Sequence, residues 1–425
     1  DRTLIRIMRT NLPIDEAGLW DDLMALAALT DPGRPWTRRA FTPMFLEGRA
    51  YVAERMREAG LAVRIDPAGN LIGRREGRVP DARAIVLGSH SDTVPDGGRF
   101  DGTAGVMAGI AVARSLARDG TELDHAFEVI DCLAEEVSIF GLSCIGSRAI
   151  AGQLSEEQLE RQEPTGEILA AAIDRMGGDA DHLDGARRDD IATYLELHIE
   201  QGPVLIDQGR DIGIVTAISG ITRIEITVEG RADHAGTTPM TLRRDALTGA
   251  AAVVTAIAKD ARRRAAAGHG HFVATVGEFR VEPNAANVVP SRVVMLVDAR
   301  AEERGFLQGF ITELPSLLQR ALGGTGARLA DFSILSDALP ALSDPALLDI
   351  LEESCGALGL SSMRMASGAG HDMAWFSRVA PAAMIFIPSK DGRSHTPDEW
   401  SEPGEIAAGA AVLHEAVLRL DKILP

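Results

Sequence analysis

The sequence is poor in several things at once. Lys259, Lys390 and Lys422 are its only lysines among 43 basic residues, aromatics make up 4%, and 425 residues hold three cysteines. Basic residues are also outnumbered by 62 acidic ones, for a net charge of -19. So acidic a chain lacks the basic face or stripe that nucleic acid or anionic lipid requires, and neither is expected as a partner. Cys132, Cys144 and Cys355 are odd in number and far apart, which argues against a disulfide framework or a CxxC zinc knuckle. No stretch approaches the roughly 18 apolar residues of a membrane span. The start, Asp1-Arg2-Thr3, lacks the apolar core of a signal peptide. A soluble, cytoplasmic protein is the expectation from these absences.

What the chain does have is length and alternation. At roughly 150 residues per domain, its size predicts two or three domains with sizeable cores. In the first half, short apolar runs such as Ala84 to Leu87, Phe127 to Leu133 and Ile191 to Leu197 alternate with helical patterns. That predicts an α/β domain with a mixed, largely parallel sheet and helices on both faces, and places the chemistry at strand ends. From about Ile221 the texture changes. Ile221 to Val228 alternates like a half-exposed strand, and an Ala-rich helix from about Asp245 to Ala267 precedes strands at Phe272 to Phe279 and Val293 to Val297. A helix near Gly305 to Ala321 and a strand near Ala327 to Ile334 complete a smaller α+β unit of two layers, ferredoxin-like. The basic end of the Ala-rich helix, Arg262 to Ala267, is expected to face solvent. Pro345 to Leu358 and Ala383 to Pro388 then resume the first texture. The reading is one domain inserted in another: 1–218 and 337–425 catalytic, 219–336 inserted.

Acids and histidines concentrate at the ends of the apolar runs: Gly88-Ser89-His90-Ser91-Asp92-Thr93, Phe100-Asp101-Gly102, Ala134-Glu135-Glu136, His198-Ile199-Glu200-Gln201-Gly202 and Ser394-His395-Thr396-Pro397. Imidazole nitrogens and carboxylate oxygens are the donors that hold catalytic divalent ions. His90 with Asp92 two residues on fits a carboxylate that orients a ligating imidazole. Asp101 follows a Gly-Gly turn and opens an apolar helix, Val106 to Leu116. Adjacent Glu135 and Glu136 cannot both point one way from an extended strand, so one can bind metal while its neighbour is left free as a base. His125, His182, His269, His271 and His414 have no companion pattern and read as surface or packing residues.

Taken together, these segments resemble the dimetal amidohydrolases. The likeness extends through Gly97-Gly98-Arg99-Phe100-Asp101-Gly102, Asp233-His234-Ala235-Gly236-Thr237-Thr238-Pro239-Met240 and Ser367-Gly368-Ala369-Gly370-His371-Asp372. More narrowly they are similar to the branch that holds N-carbamoyl-L-amino-acid amidohydrolase, β-ureidopropionase and allantoate amidohydrolase, related to aminoacylase and carboxypeptidase G type peptidases. The resemblance implies two divalent ions per subunit, zinc, manganese, cobalt or nickel. His90 and His198 would hold one and Glu136 and His395 the other, with Asp101 bridging both and Asp92 behind His90. Glu135 would be the general base acting on a metal-bridging hydroxide.

The same resemblance makes the inserted domain a lid and a homodimer interface. Arg300 and Asn287 match positions that grip a substrate carboxylate, a role suited to a guanidinium fork. His234 matches a residue that reaches the partner's site to stabilise an oxyanion. Gln201 and the backbone around Gly370 and His371 match further substrate contacts. One departure stands out: Ile139 occupies the place where relatives carry arginine after the Glu pair. The expected reaction is conversion of a small-molecule N-carbamoyl-L-amino acid to the L-amino acid, carbon dioxide and ammonia. Allantoate or another ureido acid comes second, and an N-acyl amino-acid conjugate third, the last favoured by Ile139. A two-lobed solute-binding protein would have no use for such a ligand set.

Overall fold

The computed structural model describes residues 12–268 and 270–425. The opening Asp1-Arg2-Thr3 and His269, both read above, lie outside the described residues. Six strands come first: β1 (Ala62–Ile65), β2 (Leu71–Arg75), β3 (Ala84–His90), β4 (Phe127–Cys132), β5 (Ile191–Ile199) and β6 (Ile212–Ile218). Then follow β7 (Gly220–Glu229), β8 (Asp233–His234), β9 (Phe272–Glu282), β10 (Val288–Val289), β11 (Arg292–Ala301) and β12 (Arg328–Ala338), and finally β13 (Ala341–Leu342), β14 (Ser362–Ser367) and β15 (Ala382–Ile387). Among the described residues two compact units result, one from 12–216 with Leu342–Arg364 and His371–Pro425, the other from Ala217–Ala341 with Met365–Gly370. The sequence reading assigns 365–370 to the catalytic part. In the structure its carbonyls are tied to the second unit, Gly368 O by Arg300 Nη1 at 2.6 Å and Ser367 O by the Ser219 N–H.

In the first unit the sheet runs β1-β2-β4-β3-β5-β15-β6-β13, with β14 paired to β6. Its centre, β4-β3-β5-β15, is parallel; β2 and β6 add to it antiparallel, and β1 pairs antiparallel with β2. The central strands are buried at every position, as the sequence runs Ala-Ile-Val-Leu in β3 and Ala-Ala-Met-Ile in β15 require. Strands covered on both faces need apolar side chains on both. Ile85, Leu87, Leu195, Leu197, Ile385 and Ile387 pack on one face with the helices Thr103–Arg118 and Pro403–Ile423. Tyr194 stacks flat on Phe376, ring centroids 3.7 Å apart. Small residues let the helix Thr103–Arg118 come close: a Cβ on Gly105 would lie 2.3 Å from Leu197 O. That closeness brings the start of this helix, and Asp101 just before it, against the end of β5.

The second unit is a four-stranded antiparallel sheet in the order β12-β7-β11-β9, the ferredoxin-like arrangement. The period-2 pattern of β7 buries Ile224, Ile226 and Val228 against Val253 and Ile257 of the helix Ala246–Ala265 and Phe310 and Leu314 of the helix Arg304–Leu322. One expectation is corrected here. Arg264, read as part of a solvent-facing helix end, is buried, bonded to Asp260 at 2.7 Å and to Glu313, with its guanidinium over Phe306 and Phe310. Asp260, four residues earlier, supplies the carboxylate that lets a cation stay there.

Candidate active site

The C-terminal ends of β3 and β5 deliver His90 and His198, both buried. Each ring is fixed by its Nδ1, which donates to the Asp92 carbonyl at 3.0 Å in His90 and to the Ile199 carbonyl at 2.9 Å in His198. The Nε2 atoms therefore carry the lone pairs, and both face Asp101 Oδ1, at 3.5 and 3.3 Å. The other oxygen of Asp101 faces His395, whose Nε2 lies 3.4 Å from Oδ2 and 3.1 Å from Glu136 Oε1. Two clusters with metal-ligand geometry thus share one carboxylate: His90, Asp101 and His198, all buried, and Asp101, Glu136 and His395, the last 48% exposed.

The donor set suits divalent ions of the zinc and manganese kind. One atom tests the fit directly: His90 Nε2 is buried and has no hydrogen-bond partner, a state that a coordinated cation relieves. Electrostatics agree. Burial alone would raise the Asp101 carboxyl, but His198, His395 and His90 hold it well below the usual carboxylate range. Asp101 and Glu136 in turn push the His395 imidazole up to about 11. Burial drives Glu135 well above its ordinary value, with His90, 3.6 Å away, opposing the rise.

Asp92 does more than the sequence suggests. Besides standing 3.5 Å from His90 Nδ1, its carboxylate takes the N–H groups of Glu135 and Glu136, at 3.2 and 3.3 Å. One acid therefore orients both the imidazole and the Glu pair. Cys144 Sγ lies 3.6 Å from Glu135 Oε1, steadying that carboxyl from the other side. Gln201 Nε2 donates to Asp101 Oδ2 at 2.7 Å and to Ser394 Oγ at 3.2 Å. His371 is buried edge-on against His198, ring centroids 4.4 Å apart, and burial holds it well below its ordinary value, so it is neutral. Ile139 packs with the apolar cluster of Phe41, Phe140 and Leu142, leaving Val137 as the exposed apolar residue next to Glu136.

Sequence reasoning passed over Glu399. Its buried carboxylate takes the N–H of Phe100 at 2.8 Å and of Asp101 at 3.1 Å, and Ser394 Oγ lies 3.1 Å away. Burial and the nearby Asp101 raise it to about 7. Its place four residues beyond His395 was the only available signal.

Three of the expected site residues lie in the second unit, and Gly370 ends that unit's 365–370 segment. His234 and Asn287 sit on one small ribbon, where Val288 pairs with His234 and the Ala235 N–H donates to Asn287 O. His234 Nδ1 accepts the N–H groups of Gly236 and Thr237, so its ring proton resides on Nε2. Arg300 on β11 is gripped by both oxygens of Asp298, at 2.7 and 3.2 Å, and by Gly368 O.

Residues 86–419 match the sequence profile of Peptidase family M20/M25/M40. The chain belongs to this family. It is 40% identical to the N-carbamoyl-L-amino acid amidohydrolase of Geobacillus stearothermophilus over 95% of its own length and 98% of that protein. It is 33% identical to the ureidoglycolate hydrolase of Arabidopsis thaliana over 97% and 88%. Among solved structures, a hydantoinase/carbamoylase family amidase of Burkholderia multivorans superposes with a TM-score of 0.88 at 37% identity, covering 96% of this chain and 98% of that one. The M20 enzyme is therefore a hydrolase of C–N bonds, an amidohydrolase of a metal-dependent family with candidate His/Asp metal groups. None of its described helices is long and apolar enough to cross a membrane.

Proposed function

We propose that the enzyme hydrolyses an N-carbamoyl-L-amino acid to the L-amino acid, carbon dioxide and ammonia. The observation that carries this reading is the pair of clusters sharing Asp101 with a further carboxyl, Glu135, left over beside them. His90, His198 and Asp101 would hold one divalent ion and Asp101, Glu136 and His395 the other. Ions bound there supply the acidity of a water molecule and polarisation of the substrate carbonyl. Glu135 takes the water's proton and delivers it to the leaving nitrogen, and its raised affinity for protons suits both steps. Asp92 keeps Glu135 and Glu136 apart by holding both backbones, so that one serves as base and the other as ligand.

The second unit serves in this reading as lid and dimer interface. Arg300 donates through three of its five N–H groups in the structure, which leaves two for a substrate carboxylate. Asn287 accompanies it. His234, with its proton on Nε2, donates to the developing oxyanion of the partner subunit's substrate. Exposed Met240, Leu242, Ile334 and Leu335 suit a face that a second copy covers. Gln201, Gly370 and His371 would make further contacts to the substrate, and the three buried free thiols fit a cytoplasmic setting.

A second reading, allantoate or another ureido acid, draws on the likeness to ureidoglycolate hydrolase. An N-acyl amino-acid conjugate draws on the apolar Ile139 and Val137 beyond the Glu pair. A hydrolysis screen over N-carbamoyl, N-formyl and N-acyl amino acids and allantoate separates the three. Carbamoyl acids turned over fastest support the first reading, and turnover of allantoate alone overturns it.

A further inference from the structure

The two ligand clusters are built differently. His90 and His198 stand at the ends of β3 and β5, paired in parallel register from Ile85↔Thr193 to Gly88↔Glu196, so the ladder itself sets their separation. His395 belongs to no strand; it sits in a loop at positive φ, 55°, and is half exposed. Gln201 Nε2 and Ser394 Oγ tie this loop to the carboxylate of Asp101, and Glu399 ties it to the backbone of Asp101. Glu399 Oε1 takes the N–H groups of Phe100 and Asp101, and its Oε2 faces Ser394 Oγ, which in turn lies 2.8 Å from Asp101 Oδ2. The loop around Asp101 is shaped to receive it: a Cβ on Gly98 would fall 1.9 Å from the Glu399 carboxyl. Arg99, next to Phe100, packs on the indoles of Trp36 and Trp400, at 4.6 and 4.8 Å from their centroids, which also holds the residue after Glu399.

We infer that Glu399 is a positioning residue which turns Asp101, Glu136 and His395 into a divalent-cation site, while the cluster of His90, Asp101 and His198 stands without it. A buried carboxylate that accepts from the backbone of one ligand and from the hydroxyl beside another fixes their distance, as outer-shell partners of metal ligands do. Without it Asp101 keeps its place against His90 and His198, but the His395 loop loses its tie to the backbone of Phe100 and Asp101 and is left with the side-chain bonds of Ser394 and Gln201 to the Asp101 carboxylate.

The inference rests on the two-ion reading above. The test is calorimetric titration of the chelator-treated full chain with Mn2+, together with metal content after gel filtration. The wild-type chain is expected to bind two ions. Glu399→Ala is expected to keep one within about threefold and to weaken the other roughly ten- to hundredfold. Glu399→Gln is expected to lie between, because its Oε1 still accepts from Phe100 and Asp101. A general loss of structure weakens both ions and lowers the melting temperature, so the ratio of the two affinities is the deciding readout. Should Glu399→Ala not fold, Ser394→Ala removes the hydroxyl link without emptying a buried site and is expected to weaken the same ion selectively. Two ions of unchanged affinity, or two weakened alike, overturn the inference and leave the two-ion reading standing. A wild-type chain that binds one ion overturns the two-ion reading and the inference with it.

Discussion

The cluster of His90, Asp101 and His198 and the cluster of Asp101, Glu136 and His395 offer similar ligands from different materials. The first takes both its imidazoles from strand ends and is fully buried, with each ring locked by a carbonyl of its own chain. The second is made of loops, one ligand half exposed, held by side-chain bonds rather than by a ladder. Rigidity here follows from backbone pairing, which distributes a ligand's position over many hydrogen bonds. Adaptability follows from loops, whose position depends on a few. In the two-ion reading proposed above, one cluster of each kind would hold an ion firmly while leaving room for a substrate.

The largest expected effect removes both. Prolonged chelation should abolish turnover, and added manganese, cobalt or zinc should restore it; full activity in metal-free protein contradicts the two-cluster mechanism. Partial chelation sharpens the comparison, since the ion of the looser cluster should leave first, as metal content against chelator concentration will show. Next comes the Glu pair. Glu135→Gln should keep both ions and lose roughly 100-fold or more in kcat, whereas Glu136→Gln should also lose the looser ion. Swapped metal contents would reverse the two roles.

Arg300 should act independently of either cluster. Arg300→Lys keeps the charge but not the fork, and should cut kcat/KM roughly 30-fold or more with metal content unchanged, nearly as much as Arg300→Ala. Equal turnover of free and amidated substrates would remove the carboxylate clamp. The smallest effect is on stability. His198→Ala opens a buried site beside His371 and should cost about 2 kcal/mol in denaturant unfolding, while His395→Ala should cost well under 1 kcal/mol. Equal costs would mean that the two clusters are equally built in.

The difference between the clusters also explains what could be read from the sequence. His90 and His198 end runs of apolar residues, and such runs announce both a strand and its end. The second unit was legible for the same reason, because β7 alternates so regularly that its buried face is evident residue by residue. Glu399 was not legible. It follows an aspartate in an acidic chain, and its partners, Phe100 and Asp101, lie about 300 positions earlier. Arg264 was misread because the composition of a helix end says nothing of the Glu313 carboxylate brought to it by another helix. The attachment of 365–370 to the second unit depends on carbonyls, which no side-chain pattern reveals. Pairwise periodicity carries over from sequence to structure, whereas contacts between distant loops do not.

The position of β15 has a consequence for how the protein comes into being. This strand is the last in the chain, yet it lies in the middle of the sheet, parallel to β5 on one side and antiparallel to β6 on the other. Between β5 and β15 the ribosome must make the whole second unit, more than 100 residues with a core of its own. The second unit can thus fold during synthesis while β5 and β6 wait with open edges, and open edges of apolar strands are prone to pair with the wrong neighbour. Only when β15 closes that gap does the segment carrying His395 and Glu399 follow it into place. A nascent or truncated chain therefore exposes a sticky sheet before it can act on anything, and the final forty or so residues decide at once whether the product is an enzyme or an aggregate.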